Sequence, residues 1–521
     1  MGNDKGRGKP ANNHFAVLLA FALAVAFVLA SATVLAGCSM AVDPVSGGGD
    51  APLADEGDEL SEPPDEPVPL TEPPVLPFGA APEYDPGDIA AINRIIENNG
   101  LPWAKADPAD GSYIPADWDW RPEWEEGWEE IYKGSEWSEG ESGKRVVNLS
   151  VSLYGMTGHL DVSGLAALEN LDCYGNRLAS LDVSGLAALG QLMCHGNNLS
   201  SLDVSGLARL VRLDCSYNSL ASLDVSGCAG LVSVDCDENQ LASLDVSGLA
   251  ALERLSCIGS GLASLDVSGC NMLGFIECGN NSLSALDVSG LGSLQHLDCS
   301  QNNIASLGMA GCGGLTNLIC NNNALGALDL SGLGALEKLK CSGNRLAALD
   351  MTGMGSMWHL DCSQNMIGSL DLSGCAGIGY LNCGGNSLDS LDVSGLAEMA
   401  SLYCYKNNLA SLDIYGCAAL NYLDCSENQL TVLDASGLGA LESLYCWGNS
   451  ISFLGLLGCA RVNSLDCSAN RLAFLDVSGL AQLEWLNCAG NDLPDTDAVI
   501  GLEGSGSFQE KGWDGWSFIF E

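Results

Sequence analysis

Two short stretches of the chain carry the side chains of a hydrolase. His296-Leu-Asp298-Cys-Ser300 and His359-Leu-Asp361-Cys-Ser363 each set an imidazole, a carboxylate and a hydroxyl at alternate positions. A relay that activates serine needs the histidine between the acid and the nucleophile. Here the aspartate stands between the other two, and alternate residues of a strand lie ~6.6 Å apart, beyond hydrogen-bond reach. Both stretches therefore read as polar residues on a solvated strand face. No residue is assigned a catalytic role and no cofactor is called for. The 23 cysteines are the second candidate chemistry. No C-x-x-C pair and no inward histidine completes a zinc ligand set. The third is the acid group Asp214, Asp235, Asp237 and Glu238, whose hard oxygens suit calcium although their spacing fixes no coordination shell.

What positions these residues is a repeat. Leu160–Ser180 reads LDVSGLAALENLDCYGNRLAS, and it recurs every 21 residues. Stepping from Cys173 by 21 meets a cysteine at all fifteen landings to Cys488, sixteen ladder cysteines in all. A leucine series runs without a break from Leu160 to Leu475, and an asparagine series from Asn176 to Asn491 is interrupted only by Ser260. Self-similarity at so short a period marks a solenoid, in which no unit can bury its apolar face alone. Within one unit, Leu171 and Cys173 alternate with Asp172, so a very short strand buries one side. Asn176 follows where the chain must turn, and its amide can satisfy backbone groups left unpaired there. Leu178, Leu181, Val183, Leu186 and Leu189 form the far wall, and Ser184-Gly185 the second turn. The Asp161 series, recurring in nearly every unit with glycine at 308 and 455, reads as turn chemistry.

The motif L-x-x-L-x-C-x-x-N-x-L resembles a bacterial leucine-rich repeat. It is similar to the 21-residue cysteine-ladder type of internalin J-like surface proteins, and the likeness covers roughly residues 146–493. The resemblance implies a right-handed curved solenoid of about sixteen repeats, with short parallel strands on the concave face and turns, short strands and 3-10 segments on the convex face. It also implies binding without catalysis.

The register bears on the thiols. The sixteen ladder cysteines would stack ~4.8 Å apart with parallel Cβ directions, which suits a disulfide torsion poorly. Cys228, Cys270, Cys312, Cys375, Cys417 and Cys459 share the position of Leu165 and never fall in adjacent repeats. All 22 are expected to be free, buried, small hydrophobes.

Residues 1–37 read as a lipoprotein signal: Lys5, Arg7 and Lys9, an apolar run from Phe15 to Val34, then Leu35-Ala36-Gly37-Cys38. Cleavage before Cys38 and lipidation of its thiol would tie the chain to a membrane, with the outer membrane or cell surface favoured. Residues 38–87 form an acidic linker; eleven prolines between Pro44 and Pro86 keep it extended. Residues 88–146 read as an N-terminal cap with one helix begun by Asp88. Ile89, Ile92 and Ile96 share a face of it, and Trp103, Trp118, Trp120, Trp124, Trp128 and Trp137 follow. Residues 147–493 are the repeat domain. Residues 494–521, with Trp513, Trp516, Phe518, Ile519 and Phe520, are expected to cover the last turn.

A net charge of −46 excludes nucleic acid, whose phosphates need a basic face. A protein ligand is the favoured partner, and glycan and calcium are the other ligands considered. The outward strand positions turn aromatic late in the array: His359, Tyr380, Tyr403, Tyr405, Tyr422, Tyr445 and Trp447, in the tenth to fourteenth turns counted from Cys173. Tyrosine and tryptophan bury large area with few rotors and keep a polar tip, as binding hot spots do; tyrosine also suits strand surfaces with no ligand at all. The expected function is adhesion or protein–protein interaction by an exported lipoprotein. Glycan binding and a structural surface-layer role are the rival readings.

Overall fold

The computed structural model describes residues 82–119, 121–124, 130–501 and 518–519. The signal segment with Cys38, the linker to residue 81, and the C-terminal Trp513, Trp516 and Phe520 lie outside them.

Each repeat lays down one three-residue strand whose middle leucine is buried and whose flanking residues are half-exposed, as in Gln191–Met193 and Tyr422–Asp424. Successive strands pair in parallel with a register of 21 residues, for example Leu192 on Leu213 and Leu423 on Leu444. Three residues suffice because the leucine and the cysteine two places on both point into the core, where Leu171, Cys173, Leu192 and Cys194 are fully buried. The strands join one long sheet, called here the ladder face. The chain returns along the opposite face, where Leu181, Val183, Leu186 and Leu189 close the core. Short parallel pairs form there, such as Ser243–Asp245 with Ser264–Asp266. A fully buried leucine stabilises by about 1.5–3 kcal/mol, so a stack of such residues needs no large hydrophobic centre.

The asparagines bind turn to turn. Asn197 Nδ2 donates to the Cys194 carbonyl of its own turn (3.0 Å) and to the Cys173 carbonyl of the turn before (2.9 Å), while its Oδ1 accepts from Leu178 N–H (3.0 Å). The same three bonds recur at Asn428. Ser260 keeps only one of the carbonyl contacts, from its Oγ to the Cys236 carbonyl (2.6 Å). The residue before each ladder asparagine lies in the left-handed region. Glycine holds it in Gly175 (φ 64°), and nine non-glycine residues hold it elsewhere, among them Lys406 (φ 51°) and Ala469 (φ 50°). The asparagine bonds offset that strain. The Asp161 series is turn chemistry: Asp182 Oδ1 accepts from Ser184 N–H at 2.9 Å, and its pKa is lowered by the Ser184 contacts.

All 22 described cysteines are buried and unbridged. Five of the six outside the ladder donate their S–H to a carbonyl 24 residues earlier, as Cys228 Sγ does to Val204 O (3.1 Å). Burial pushes the ladder thiols far above their usual range, Cys320 to about 12, so the reactive thiolate is suppressed.

The N-terminal cap opens with a helix α1 over Pro86–Asn99. Its N-cap is Asp85, whose carboxylate accepts from Gly87 and Asp88 N–H (2.8 and 3.1 Å). This corrects the assignment to Asp88. Proline fits the first helical turn because its missing N–H costs nothing there, so the cap and the helix start lie three residues earlier. Asp88 is instead fully buried, held by Arg145 through two bonds (2.9 and 2.7 Å) and by Val146 N–H (2.8 Å). Ile89, Ile92 and Ile96 do share the buried face. Trp118 is fully buried with Nε1 on the Ala104 carbonyl, Trp103 bonds Tyr154, and Trp137 packs edge-on against Tyr84. Strand β1 (Arg121–Trp124) pairs antiparallel with β2 (Glu130–Trp137), which pairs antiparallel with β3 (Val146–Ser150), the first strand of the ladder face. That hairpin occupies the sheet edge that would otherwise recruit another chain. At the other end Phe518–Ile519 pairs in parallel with Trp485–Asn487.

Candidate functional site: the ladder face

The ladder face presents two side-chain columns flanking each buried leucine, and a third at the turn. Constant register stacks like positions strand on strand, so neighbouring side chains interact along the solenoid axis.

In the first seven turns these columns are largely polar and bonded to one another. His195 Nδ1 lies 3.0 Å from Asp214 Oδ2, and Tyr174 stacks on His195 with centroids 4.6 Å apart. Asp237 Oδ1 accepts from Ser256 Oγ (2.7 Å) and Ile258 N–H (2.6 Å). The Arg254 guanidinium lies over the Phe275 ring (3.8 Å) and 3.5 Å from Glu277, and Phe275 stacks on His296. Burial, reinforced by Asp237 and Asp214, pushes Asp235 up to about 8; burial pushes Glu277 to about 7 and Asp237 and Asp172 to about 6. For Asp214 burial pushes upward, but the His195 contact and the Ser216 hydrogen bonds together outweigh it and the pKa moves down. Among the described residues no group of three or more acids, histidines or cysteines converges as metal ligands. The hydrolase-like sets do not form a relay. Ser300 Oγ donates to Asp298 (2.6 Å) and Ser363 Oγ to Asp361 (2.6 Å), while His296 bonds Asn317 instead.

In the last seven turns the columns are aromatic. His359 stacks on Tyr380 (4.3 Å between centroids, 7° between planes). Tyr380 meets Tyr403 (5.6 Å), Tyr403 stacks on Tyr422 (4.7 Å), and Tyr422 meets Tyr445 (5.6 Å). The row is longer than the sequence suggested. Trp358 joins it edge-on through His359 (5.3 Å), and Trp485 joins it through Tyr445 (6.4 Å). Stepping the Tyr422 column by 21 three times would have found Trp485; Trp358 precedes the strand and gives no outward signal. Five of the seven sequence-assigned residues fall in this row: His359, Tyr380, Tyr403, Tyr422 and Tyr445. Tyr405 and Trp447 do not. They sit in the turn column, half-buried, and the Tyr405 ring lies where a side chain at Gly384 would stand, 2.5 Å from that Cβ position.

His359 with Tyr380 and Tyr403 with Tyr422 stack face to face, while the other contacts are tilted by 37–41° or edge-on, so the row offers edges, polar tips and partly open faces. Burial first, then the Asp424 charge, raises Tyr422 to about 12, and Tyr380 and Tyr403 are raised by burial as well, so all three stay protonated donors. Burial, then Lys338 and Lys340, lowers His359 to about 4, so its ring is neutral near pH 7.

Taken together, parallel three-residue strands, a constant 21-residue register and an internal asparagine ladder define a leucine-rich repeat solenoid. Solved structures agree on that class. The chain is similar to YopM from Yersinia enterocolitica (25% identity, 66% of this chain and 78% of that one, TM-score 0.54). It is also similar to the leucine-rich effector YopM from Yersinia pestis (23%, 66% and 88%, TM-score 0.50). The functional domain of InlJ from Listeria monocytogenes, described as including a cysteine ladder, matches at 26% identity over 67% of this chain and 71% of that one, with a TM-score of 0.47. No protein-family model and no curated protein matches the chain.

Proposed function

We propose that this protein is a non-enzymatic interaction scaffold that binds a protein partner through the aromatic row of its ladder face. The observation that carries the reading is the unbroken ring contact from Trp358 to Trp485, half-exposed, on the strand surface of the solenoid. Hydroxyl-tipped rings held by their neighbours lose little rotamer freedom when a partner covers them, which is what makes tyrosine an efficient contact residue. The stacked pairs, His359 on Tyr380 and Tyr403 on Tyr422, favour protein over glycan, because a sugar stacks on an open ring face and those faces are turned to each other. Acylation of Cys38 would place the scaffold at a membrane surface as an exported lipoprotein. Among the described residues no helix is long and apolar enough to cross a membrane; the apolar run from Phe15 to Val34 lies outside them.

The test is a pulldown from the producing organism and its surroundings with the exported chain and with Tyr403→Ala/Tyr422→Ala. The reading expects a protein retained by the parent and lost by the variant at unchanged circular dichroism. Retention by both would remove the row as the site. In parallel, Cys38→Ala should shift the protein from the membrane to the soluble fraction; unchanged membrane association would remove the lipid anchor.

A further inference from the structure

Between the acidic and aromatic stretches the ladder face carries two lysines on one strand, Lys338 and Lys340, flanking the buried Leu339. Acids outnumber bases 66 to 20 in this chain, yet among the described residues neither lysine has a carboxylate within ion-pair distance. Asp361, the residue paired with Lys340 on the next strand, spends its Oδ1 on the amide and hydroxyl of Ser363 (3.1 and 2.6 Å). Beside Lys338 on that strand is His359, whose Nε2 is buried and has no hydrogen-bond partner. Burial, with Lys340 nearby, lowers the Lys338 pKa. Two half-buried cations without an ion-pair partner thus lie beside His359 at the head of the tyrosine row. A partly desolvated cation left unpaired is costly, and an arriving anion offsets that cost.

The geometry points to an anchor for a carboxylate: the ladder face docks an extended acidic segment of a polypeptide, with an Asp or Glu side chain seated on Lys338 and Lys340 beside His359, and the following residues laid along the rings. This rests on the aromatic row being the docking surface. Charge complementarity selects the occupant and its place. Elsewhere on a chain of net charge −46 an acidic segment is repelled, so the lysine pair sets where such a segment can land and fixes its register on the row.

The experiment selects displayed random twelve-residue peptides on the full exported chain, then measures the selected peptides against the parent, Lys338→Gln/Lys340→Gln and Tyr403→Ala/Tyr422→Ala. The expected result is binders that carry at least one Asp or Glu. They should lose at least tenfold in affinity on the lysine variant, and as much when that acid is changed to its amide, with weaker salt dependence in both cases. They should also weaken on the tyrosine variant. Binders that need the tyrosines but ignore the lysines would overturn the anchor and leave the row standing. Binders indifferent to both variants, or none at all, would overturn the row and the anchor together. Heparin or vesicles containing anionic lipid, tested alongside, should bind no better than to the lysine variant; a lysine-dependent affinity for either one, with no acidic peptide selected, would overturn the polypeptide assignment.

Discussion

From Asp172 to Asp298 the ladder face is charged and closed on itself; from His359 to Trp485 it is aromatic and open at its tips. The backbone beneath is the same: three-residue strands, the same parallel register, the same asparagine bonds on either side. The difference lies in the side chains set on the two outward columns. In the first stretch Asp214 is engaged by His195, Asp237 by Ser256, and Glu277 by Arg254, while Asp172 Oδ1 and His296 Nε2 stay buried without a hydrogen-bond partner. In the second the rings support each other and leave their edges available. A repeat scaffold thus separates the residues that hold it together from those that give a surface its chemistry.

The comparison breaks first if the scaffold is not shared. Asn302→Ala and Asn428→Ala each remove four buried hydrogen bonds to backbone groups. Each should cost about 2–4 kcal/mol in urea unfolding, by similar amounts in the two stretches. A rung that is dispensable in only one of them would show two scaffolds rather than one.

The second prediction sharpens the aromatic side. Tyr403→Ala/Tyr422→Ala should weaken a bound partner by about 2 kcal/mol or more, while Trp447→Ala, outside the ring row, should cost less than about 1 kcal/mol. Calorimetry that ranks Trp447 above the tyrosine pair would move the site to the turn column.

The third uses the opposite titration of the two stretches. Asp235 carries a folded-state pKa of about 8 against an unfolded value of 3.8. Below pH ~4 both states are protonated and nothing is lost. As pH rises from there to 8 the unfolded chain ionises first, so stability falls across that window and stays reduced above it. Asp235→Asn should therefore stabilise the protein at pH 8.5 by on the order of 1–2 kcal/mol and leave it unchanged near pH 4. His359, lowered from 6.5 to about 4, works in reverse: stability is lost as pH falls through that interval. Urea midpoints of Asp235→Asn and His359→Gln across pH 4–9 check both signs.

The smallest effect concerns the turn itself. Ala469→Gly and Lys406→Gly relieve a left-handed backbone at φ 50° and 51° and should stabilise by about 0.5–1 kcal/mol in thermal melts.

The sequence exposed the period, the cysteine and asparagine series and five members of the aromatic row, because each depends only on spacing. The left-handed position before each asparagine was hidden, since glycine marks it in some turns and Tyr217, Glu238 or Lys406 fills it in others. The ring orientations were hidden as well: whether Tyr380 shows a face or an edge depends on how His359 and Tyr403 pack on either side, and spacing carries no rotamer. Trp485 stands in the Tyr422 column, three repeats on, whereas Trp358 precedes its strand and joins the row only by contact. The helix start at Pro86 was missed because Asp88 looked like the cap, when burial against Arg145 had claimed it.

The central claim is that partners are bound on the aromatic stretch and not on the acidic one. A photo-crosslinking amino acid can be walked down a single column of the ladder face, at Ser233 in the acidic stretch and at Ser401 and Ser443 among the rings, in the producing cells and their surroundings. The account predicts a protein adduct at Ser401 and Ser443 and none at Ser233. An adduct at Ser233 that is absent from the other two would contradict it.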